Sequence, residues 1–348
     1  MIRHELRSGV IWEGDWLKAP LEPGYTMSEL DGPFGMKKAK WDMMGVEGLA
    51  DWYRPHLERL TGLMAPSSSV YLWNTAEGWA RLDPEMRRLG WEFESLIVWY
   101  KPNGQAQKSA SATGWPDMTE VCGMYTRHPN FASIIRRERE SRGVSAHDLA
   151  NKVVGSASGA VWNWENGIRH PTEENWVAMW RALNEVGPLW VLPHCPRWSL
   201  QLMQTSRRAT EAEIRAEYQM LRPPFQRTSD ETNVWTHPQV AGSERLLGPD
   251  GQALHPCQKP LLFAERMVQA STRPGDRILV PFGGTCRIAT YLERLSRTHP
   301  EEMRQHDTAE LNQDGKDYLS AVLGRMAETG EQPKQIALFG ATSRSGNT

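Results

Sequence analysis

The stretch HPCQKPLLFAERMVQASTRPGDRILVPFGG, residues 255–284, decides how this chain is read. Apolar residues in PLLFAERMVQAST (260–272) recur at helical spacing, so this part reads as an amphipathic helix. RPGD is a turn, RILVPFGG (277–284) a buried strand running into a glycine-rich turn, and CRIATYLERLS (286–296) the next helix. Strand, glycine turn and helix in succession are how α/β proteins place a nucleotide-like ligand. Glycine lets the backbone come close, and the helix N-terminus favours a negative group. The next strand, within HDTAELNQDGKDYLSAVLGRM (306–326), ends on Glu310. A carboxylate there can hydrogen-bond both hydroxyls of a ribose, and the competing reading is a solvated surface acid.

Toward the N-terminus the same alternation recurs. SGVIWEG (8–14), SSVYLW (68–73) and FESLIVWYKPNG (93–104) read as strands, the last stopping at a Pro-Asn-Gly turn. VEGLADWYRPHLERLTGLM (46–64) reads as a helix, and a polar helix ends near RRLGW. Strands alternating with helices predict an α/β fold, a parallel sheet with helices on its faces. Between the first two strands lies LDGPFG (30–35). Asp, Gly and Pro are ordinary turn residues. Asp31, Gly32, Pro33 and Phe34 also set an acid beside an aromatic ring on a sharp loop, which is the second reading: a catalytic loop.

The middle changes character. Residues 131–184, from FASIIRRERE to MWRALN, are compact and helical, with Gly and Ser turns and Ser145 as an N-cap for AHDLANKVV. Two short helices joined by a tight glycine-containing turn make a helix-turn-helix, whose second helix can enter the major groove. This stretch resembles the Cro/C1-type helix-turn-helix family. Leu149–Ala150, WNWENG (162–167) and the following RHP fall on its core positions, with Trp164 its buried aromatic and Glu165 the adjacent acid. The resemblance implies groove-facing positions at Ser158, Gly159, Trp162 and Asn163, with Arg169 and Arg136 near phosphate. Asn pairs bidentately with an adenine edge, whereas phosphate contacts position without reading sequence. The competing reading is a helical bundle that no longer touches DNA. A Pro-rich, irregular stretch follows, roughly 187–260.

Composition bounds these readings. The chain has 348 residues, 39% hydrophobic and 24% charged, which fits a globular protein with a real core and more than one unit. A net charge of −2 gives no global basic field. Most of the 16 Trp residues are expected in the core, and several at stacking positions. Cys122, Cys195, Cys257 and Cys286 form no CxxC pair, so free thiols and no metal site are expected. Neither a signal peptide nor an apolar run of membrane-spanning length is present, which predicts a cytoplasmic protein.

The whole set resembles a known family. Residues 255–284 look like the H-P-x-Q-K-P, helix, P-G-D, strand, D-P-F-x-G-x-G segment of the amino-group (N6-adenine/N4-cytosine) DNA methyltransferases. DGPF resembles their catalytic D-P-P-Y/F/W. IVWYKPNGQ (97–105) resembles the strand and W-K stretch after it, and WPDMTEVCGMYTR (115–127) the H-E-x-I strand beyond. Catalytic loop first, then an inserted recognition region, then the cofactor half is the β-class order. The divisions implied are 1–127 for the catalytic half and 128–250 for the target-recognition region holding the helix-turn-helix. The cofactor half is then 251–330 and the tail 331–348, with GATSRSGNT disordered.

This resemblance implies a Rossmann-like sheet, S-adenosylmethionine as cofactor, double-stranded DNA as partner and, since β-class relatives are often dimers, a homodimer. Phe282, Gly283 and Gly284 line the cofactor's methionine and ribose side, and Glu310 holds its ribose. Gln258, Lys259 and Pro260 close the pocket, and Asp15 approaches the adenine. Phe34 stacks on a flipped base, while the Asp31 carboxylate and the Gly32 carbonyl accept from its amino group. Lys37, Lys38 and Lys40 contact phosphate or form a solvated run, and Trp41-Asp42 fits the pattern without a role. An Asp in first place leans toward adenine N6. N4-cytosine and an inactive DNA-binding regulator are the alternatives. Gly32 stands where the family has its first proline, so Gly32→Pro is expected to keep or raise activity. Val280 replaces an acid, and Cys286 sets a side chain where backbone usually meets cofactor.

Overall fold

The computed structural model describes residues 1–37, 42–102, 115, 117–128, 131–156, 158–186, 209–227, 230–248, 251–255, 257–311, 318–327 and 334–337. Lys38, Lys40, Trp41, Gln105, Cys195 and the Gly340–Thr348 tail lie outside them. The chain divides into two compact units, Met1–Arg127 with Pro224–Thr348, and His128–Pro223.

The first unit is built on one ten-stranded sheet. Its strands are β1 (Ile2–Leu6), β2 (Gly9–Glu13), β3 (Tyr25–Leu30), β4 (Met64–Asn74), β5 (Glu92–Tyr100), β6 (Thr119–Arg127), β7 (Val234–Thr236), β8 (Arg277–Val280), β9 (Gln305–Glu310) and β10 (Lys334–Ala337). Their order is β10-β1-β2-β9-β8-β3-β4-β6-β5-β7. The five strands from β2 to β4 are parallel, whereas β1, β6 and β10 pair antiparallel with their neighbours. β3 and β8 lie side by side, Met27 opposite Ile278 and Ser28 opposite Leu279. From β3 the sheet continues to β4 on one side, and from β8 to β9 on the other. Such a reversal leaves a crevice at the carboxyl ends of the two strands, where open α/β sheets hold ligands.

Period-two alternation divides the core between the faces. Val70 and Leu72 of β4 pack with Leu57 and Leu60 of α1 (Leu49–Leu63) and Leu82 of α2 (Ala76–Arg88). Tyr71 and Trp73 turn the other way, into a cluster with Phe263 and Met267 of an 11-residue helix, Leu261–Ser271.

Two boundaries differ from the sequence reading. The sheet unit resumes at Pro224, not 251, because β7 pairs parallel with β5 at the sheet edge. Three strand residues in a Pro-rich stretch carry no periodic signal. Within the expected tail, Lys334–Ala337 pairs antiparallel with β1, so this part is sheet.

The second unit holds α3 (Phe131–Glu140), α4 (Ala146–Val154), α5 (Ala160–Glu165), α6 (Glu173–Asn184) and α7 (Glu211–Leu221). The Ser145 hydroxyl caps α4 by accepting from the Asp148 amide at 3.0 Å. Gly155 ends that helix in the left-handed conformation, φ 71°, which glycine adopts without a Cβ penalty. Leu149, Val161, Trp164, Trp176 and Tyr218 share one core. Helices α8 (Leu261–Ser271), α9 (Arg287–Thr298) and α10 (Tyr318–Ala327) belong to the first unit.

Candidate active site

β3 ends at Leu30 and delivers Asp31 to the crevice. The loop that follows is held from three sides. Asp42 accepts from the Gly35 amide at 2.5 Å and the Met36 amide at 2.9 Å. Asn74, at the end of β4, donates to the Pro33 carbonyl at 3.2 Å, and the Tyr53 hydroxyl reaches it at 3.3 Å. Asp42 therefore has a structural task that its sequence position did not disclose.

Asp31 faces Lys259. The ammonium nitrogen lies 2.8 and 2.9 Å from the two carboxylate oxygens and 3.1 Å from Glu120 of β6. Lys101, just past β5, pairs with Glu120 from its other side. Only 5% of the Lys259 side chain is exposed. Burial raises the Asp31 carboxyl, and Lys259 pulls it back toward ionisation. Burial also works against a charged Glu120, but Lys259 and Lys101 outweigh it and hold it below the usual carboxylate range. Glu29, one pleat below Asp31 and fully buried, is pushed up to about 8 by burial and by Asp31, so it is protonated at neutral pH.

This arrangement corrects three expectations. Lys259 is turned toward Asp31 and does not line the cofactor cleft. Gln258 is spent on backbone, donating to the Glu244 carbonyl at 2.7 Å and accepting from the Leu246 amide at 3.0 Å. Pro260 caps α8 and is also absent from the cleft's described lining. Phe34 is buried with Met27, Tyr71 and Trp73, with Lys259 over its ring at 5.2 Å, so it is core and not an open platform.

Next to Asp31 runs a cleft bordered by Gly14, Asp15 and Trp16, by Gly32 and Pro33, by Trp52 and His56 of α1, and by His255, Phe282, Gly284 and Glu310. Phe282 sits at the centre of an aromatic box, 5.6 Å from Trp52, 5.3 Å from His56 and 6.3 Å from Trp16. Trp16 donates to His56 Nδ1 at 2.7 Å, and burial lowers the His56 pKa to about 4, so the ring is neutral. Trp16, Trp52, His56 and His255 were missed in the sequence. A helix downstream of the catalytic loop gives no sign which of its faces returns to the site.

The glycine turn is shaped as its sequence suggests. A Cβ on Gly283 would meet Thr308 Cγ2 at 2.8 Å, and Gly284 has φ 50°. Glu310 Oε2 accepts from the Gly284 amide at 2.6 Å, which ties the end of β9 to the turn. Cys286 points away from the cleft, into a cluster with Ile11, Ala289 and Leu319, and so does not occupy cofactor space. Gly32→Pro is overturned as a tolerated change, since any Cβ there would lie 2.5 Å from the Tyr53 hydroxyl and 2.9 Å from the Phe282 ring.

In the second unit Ser158, Gly159, Trp162 and Arg169 are exposed and Asn163 is half-buried, all on or beside α5. Trp162 is 56% exposed. Arg136 is engaged otherwise, donating to the Glu165 carbonyl at 2.8 Å. Glu165 is buried and paired with Arg139, which fastens α5 to α3.

The sequence pattern of the DNA methylase family matches residues 26–299, from β3 to the end of α9. This chain belongs to that family. The methyl donor of the family is S-adenosylmethionine. Among characterised proteins, a type II methyltransferase of Haemophilus influenzae, M.HinfI, is 30% identical over 109 residues. That match takes in 31% of this chain and 28% of the relative's length. Among solved structures, the M1.HpyAVI–SAM complex covers 90% of this chain and 98% of its own at 12% identity, TM-score 0.45. The cytosine-N4-specific PvuII DNA methyltransferase covers 92% and 93% at 11% identity, TM-score 0.49. A DNA modification methylase of Thermus thermophilus bound to S-adenosyl-L-methionine covers 91% and 93% at 14% identity, TM-score 0.44.

The cleft of this DNA methylase suits such a donor. Its described lining carries three carboxylates, Asp15, Asp31 and Glu310, and no lysine or arginine. Acceptors over an aromatic wall favour a cationic nucleoside with free hydroxyls and disfavour a phosphorylated one.

Proposed function

We propose that this chain transfers a methyl group from S-adenosylmethionine to the exocyclic N6 of an adenine flipped out of duplex DNA. The observation that carries the reading is the acid-lined aromatic cleft opening onto Asp31. S-adenosylmethionine supplies an electrophilic methyl on a positively charged sulfur. Asp15 and Glu310 accept hydrogen bonds from its adenine and ribose, and Phe282, Gly283 and Gly284 bound the methionine and ribose side. Asp31 and the Gly32 carbonyl accept from the target amino group and aim its lone pair at the methyl carbon. Lys259 keeps Asp31 ionised and therefore an acceptor. The new N–C bond forms as the C–S bond breaks, and the amine then loses its proton. Catalysis here is positioning and electrostatics, so no strong base is required.

The unit His128–Pro223 is the element we assign to target recognition, with Asn163 and Trp162 toward the groove and Arg169 toward phosphate. An aspartate at the head of the catalytic loop supports adenine over cytosine. Calorimetry with S-adenosylmethionine tests the reading. Binding that weakens in Glu310→Ala is expected; no binding, even with duplex DNA present, sinks it.

A further inference from the structure

Away from the cofactor cleft, the first unit contains a second cleft of about 370 Å³, between the start of α8, the outer side of α9 and α10. Three arginines border it: Arg287 and Arg294 on α9, two turns apart, and Arg325 on α10. Only 9% of the Arg287 side chain is exposed; it pairs with Glu244 through Nη2, but its Nε has no partner. Arg325 is fixed by the carbonyls of Ser243, Glu244 and Arg245 at 3.2–3.4 Å, which hold the guanidinium without cancelling its charge. Arg294 is exposed and has no partner among the described residues. Glu244 is the one carboxylate in the lining, and it also accepts from the Leu261 amide at 2.7 Å. Three cations against one anion leave a net charge of +2 around a concave space. The crowding is felt by Arg287, whose pKa burial lowers, and Arg294 and Arg325 push it the same way.

We propose that this cleft is a phosphate-binding site. Guanidinium forks match the oxygen spacing of a phosphate, and an oxyanion supplies both the missing charge and an acceptor for the buried Nε. The volume exceeds one phosphate, leaving room for the sugar or base attached to it, over a floor that includes Leu246 and Val322. The phosphate comes either from the backbone of the DNA substrate, which rests on the function proposed above, or from a free phosphate or nucleotide, which does not.

Arg294→Ala in the full chain separates these sources, because Arg294 is exposed and lies outside the methyl-transfer machinery. Two probes are used: a duplex oligonucleotide titrated across a salt series, and inorganic pyrophosphate followed by calorimetry in a phosphate-free buffer. If DNA supplies the phosphate, Arg294→Ala weakens duplex binding about tenfold near 0.1 M salt and lowers the salt slope by about one, alike for every sequence. Arg294→Lys then restores most of both. If the source is free phosphate, pyrophosphate binds the wild type, binding is lost in Arg294→Ala, and the DNA slope stays unchanged. A variant that alters neither the salt slope nor pyrophosphate binding, or a wild type that binds neither probe, overturns the proposal. S-adenosylmethionine affinity, measured on the same samples, stays at the wild-type value; its absence in the wild type would reject the methyltransferase reading separately.

Discussion

Replacing Lys259 by methionine removes the only cation that touches Asp31 among the described residues and leaves it near Glu120 with nothing between them. Methionine matches the length and volume of the lysine stem, so the perturbation is mainly one of charge. Losing one partner of a buried ion pair costs about 3–5 kcal/mol. At about 1.4 kcal/mol per tenfold change, that is a factor of roughly 10² to 10³ in the fraction of Asp31 available as an acceptor. Burial already raises the Asp31 carboxyl, and Lys259 is what opposes it. Lys259→Met is therefore expected to lower kcat/KM at pH 7 by about two orders of magnitude and to move the acid limb of the pH–rate profile to higher pH. S-adenosylmethionine affinity should hold, since Lys259 is not in the cleft lining. The assay is transfer of labelled methyl to duplex DNA across pH 5.5–9.5, with circular dichroism confirming the fold and Lys259→Arg as the charge-retaining control. A profile with its acid limb unmoved, whatever the drop in rate, would refute the assignment of Lys259 as the group that holds Asp31 ionised.

Three further outcomes are expected. Gly32→Ala and Gly32→Pro should each lose about 1–3 kcal/mol in denaturant unfolding through overpacking, and adding Tyr53→Phe, which deletes the hydroxyl 2.5 Å from the new Cβ, should recover part of it. Asp42→Ala should lower the methyl-transfer rate by about 1–3 kcal/mol in activation energy while leaving cofactor affinity unchanged, because only the Gly35 and Met36 amides lose their acceptor. Glu29 carries the stability prediction: its pKa of about 8 in the fold against 4.5 outside means that the folded state holds a proton the unfolded chain releases between those values. Its contribution thus falls as pH rises from 4.5 to 8, and Glu29→Gln should flatten that slope and stabilise the protein at pH 8.

What was legible in the sequence was local. The run from the α8 helix through RPGD to the glycine turn could be read because period, turn residues and length all agree, and the strands stand where their β-branched runs lie. Glu310 could be placed at a strand end for the same reason. What could not be read depends on contacts between distant residues. Asp31 and Lys259 are 228 positions apart, and nothing in HPCQKP says that its lysine turns to the catalytic acid and its glutamine to the backbone. The aromatic box around Phe282 is drawn from three separate segments. Phe34 was misjudged because an aromatic beside a catalytic acid has the same sequence signature whether it packs into the core or faces a ligand. Gly32 was misjudged because the obstacle to a Cβ is Tyr53, on a different element.

Sequencing native DNA from cells that express this chain, with a read-out sensitive to base modification, tests the central claim most directly. The account predicts N6-methyladenine confined to one short sequence context, present with the wild type and absent with Asp31→Ala. Unmodified DNA from cells holding folded wild-type protein would contradict it, and methyl groups on cytosine N4 would contradict the choice of base.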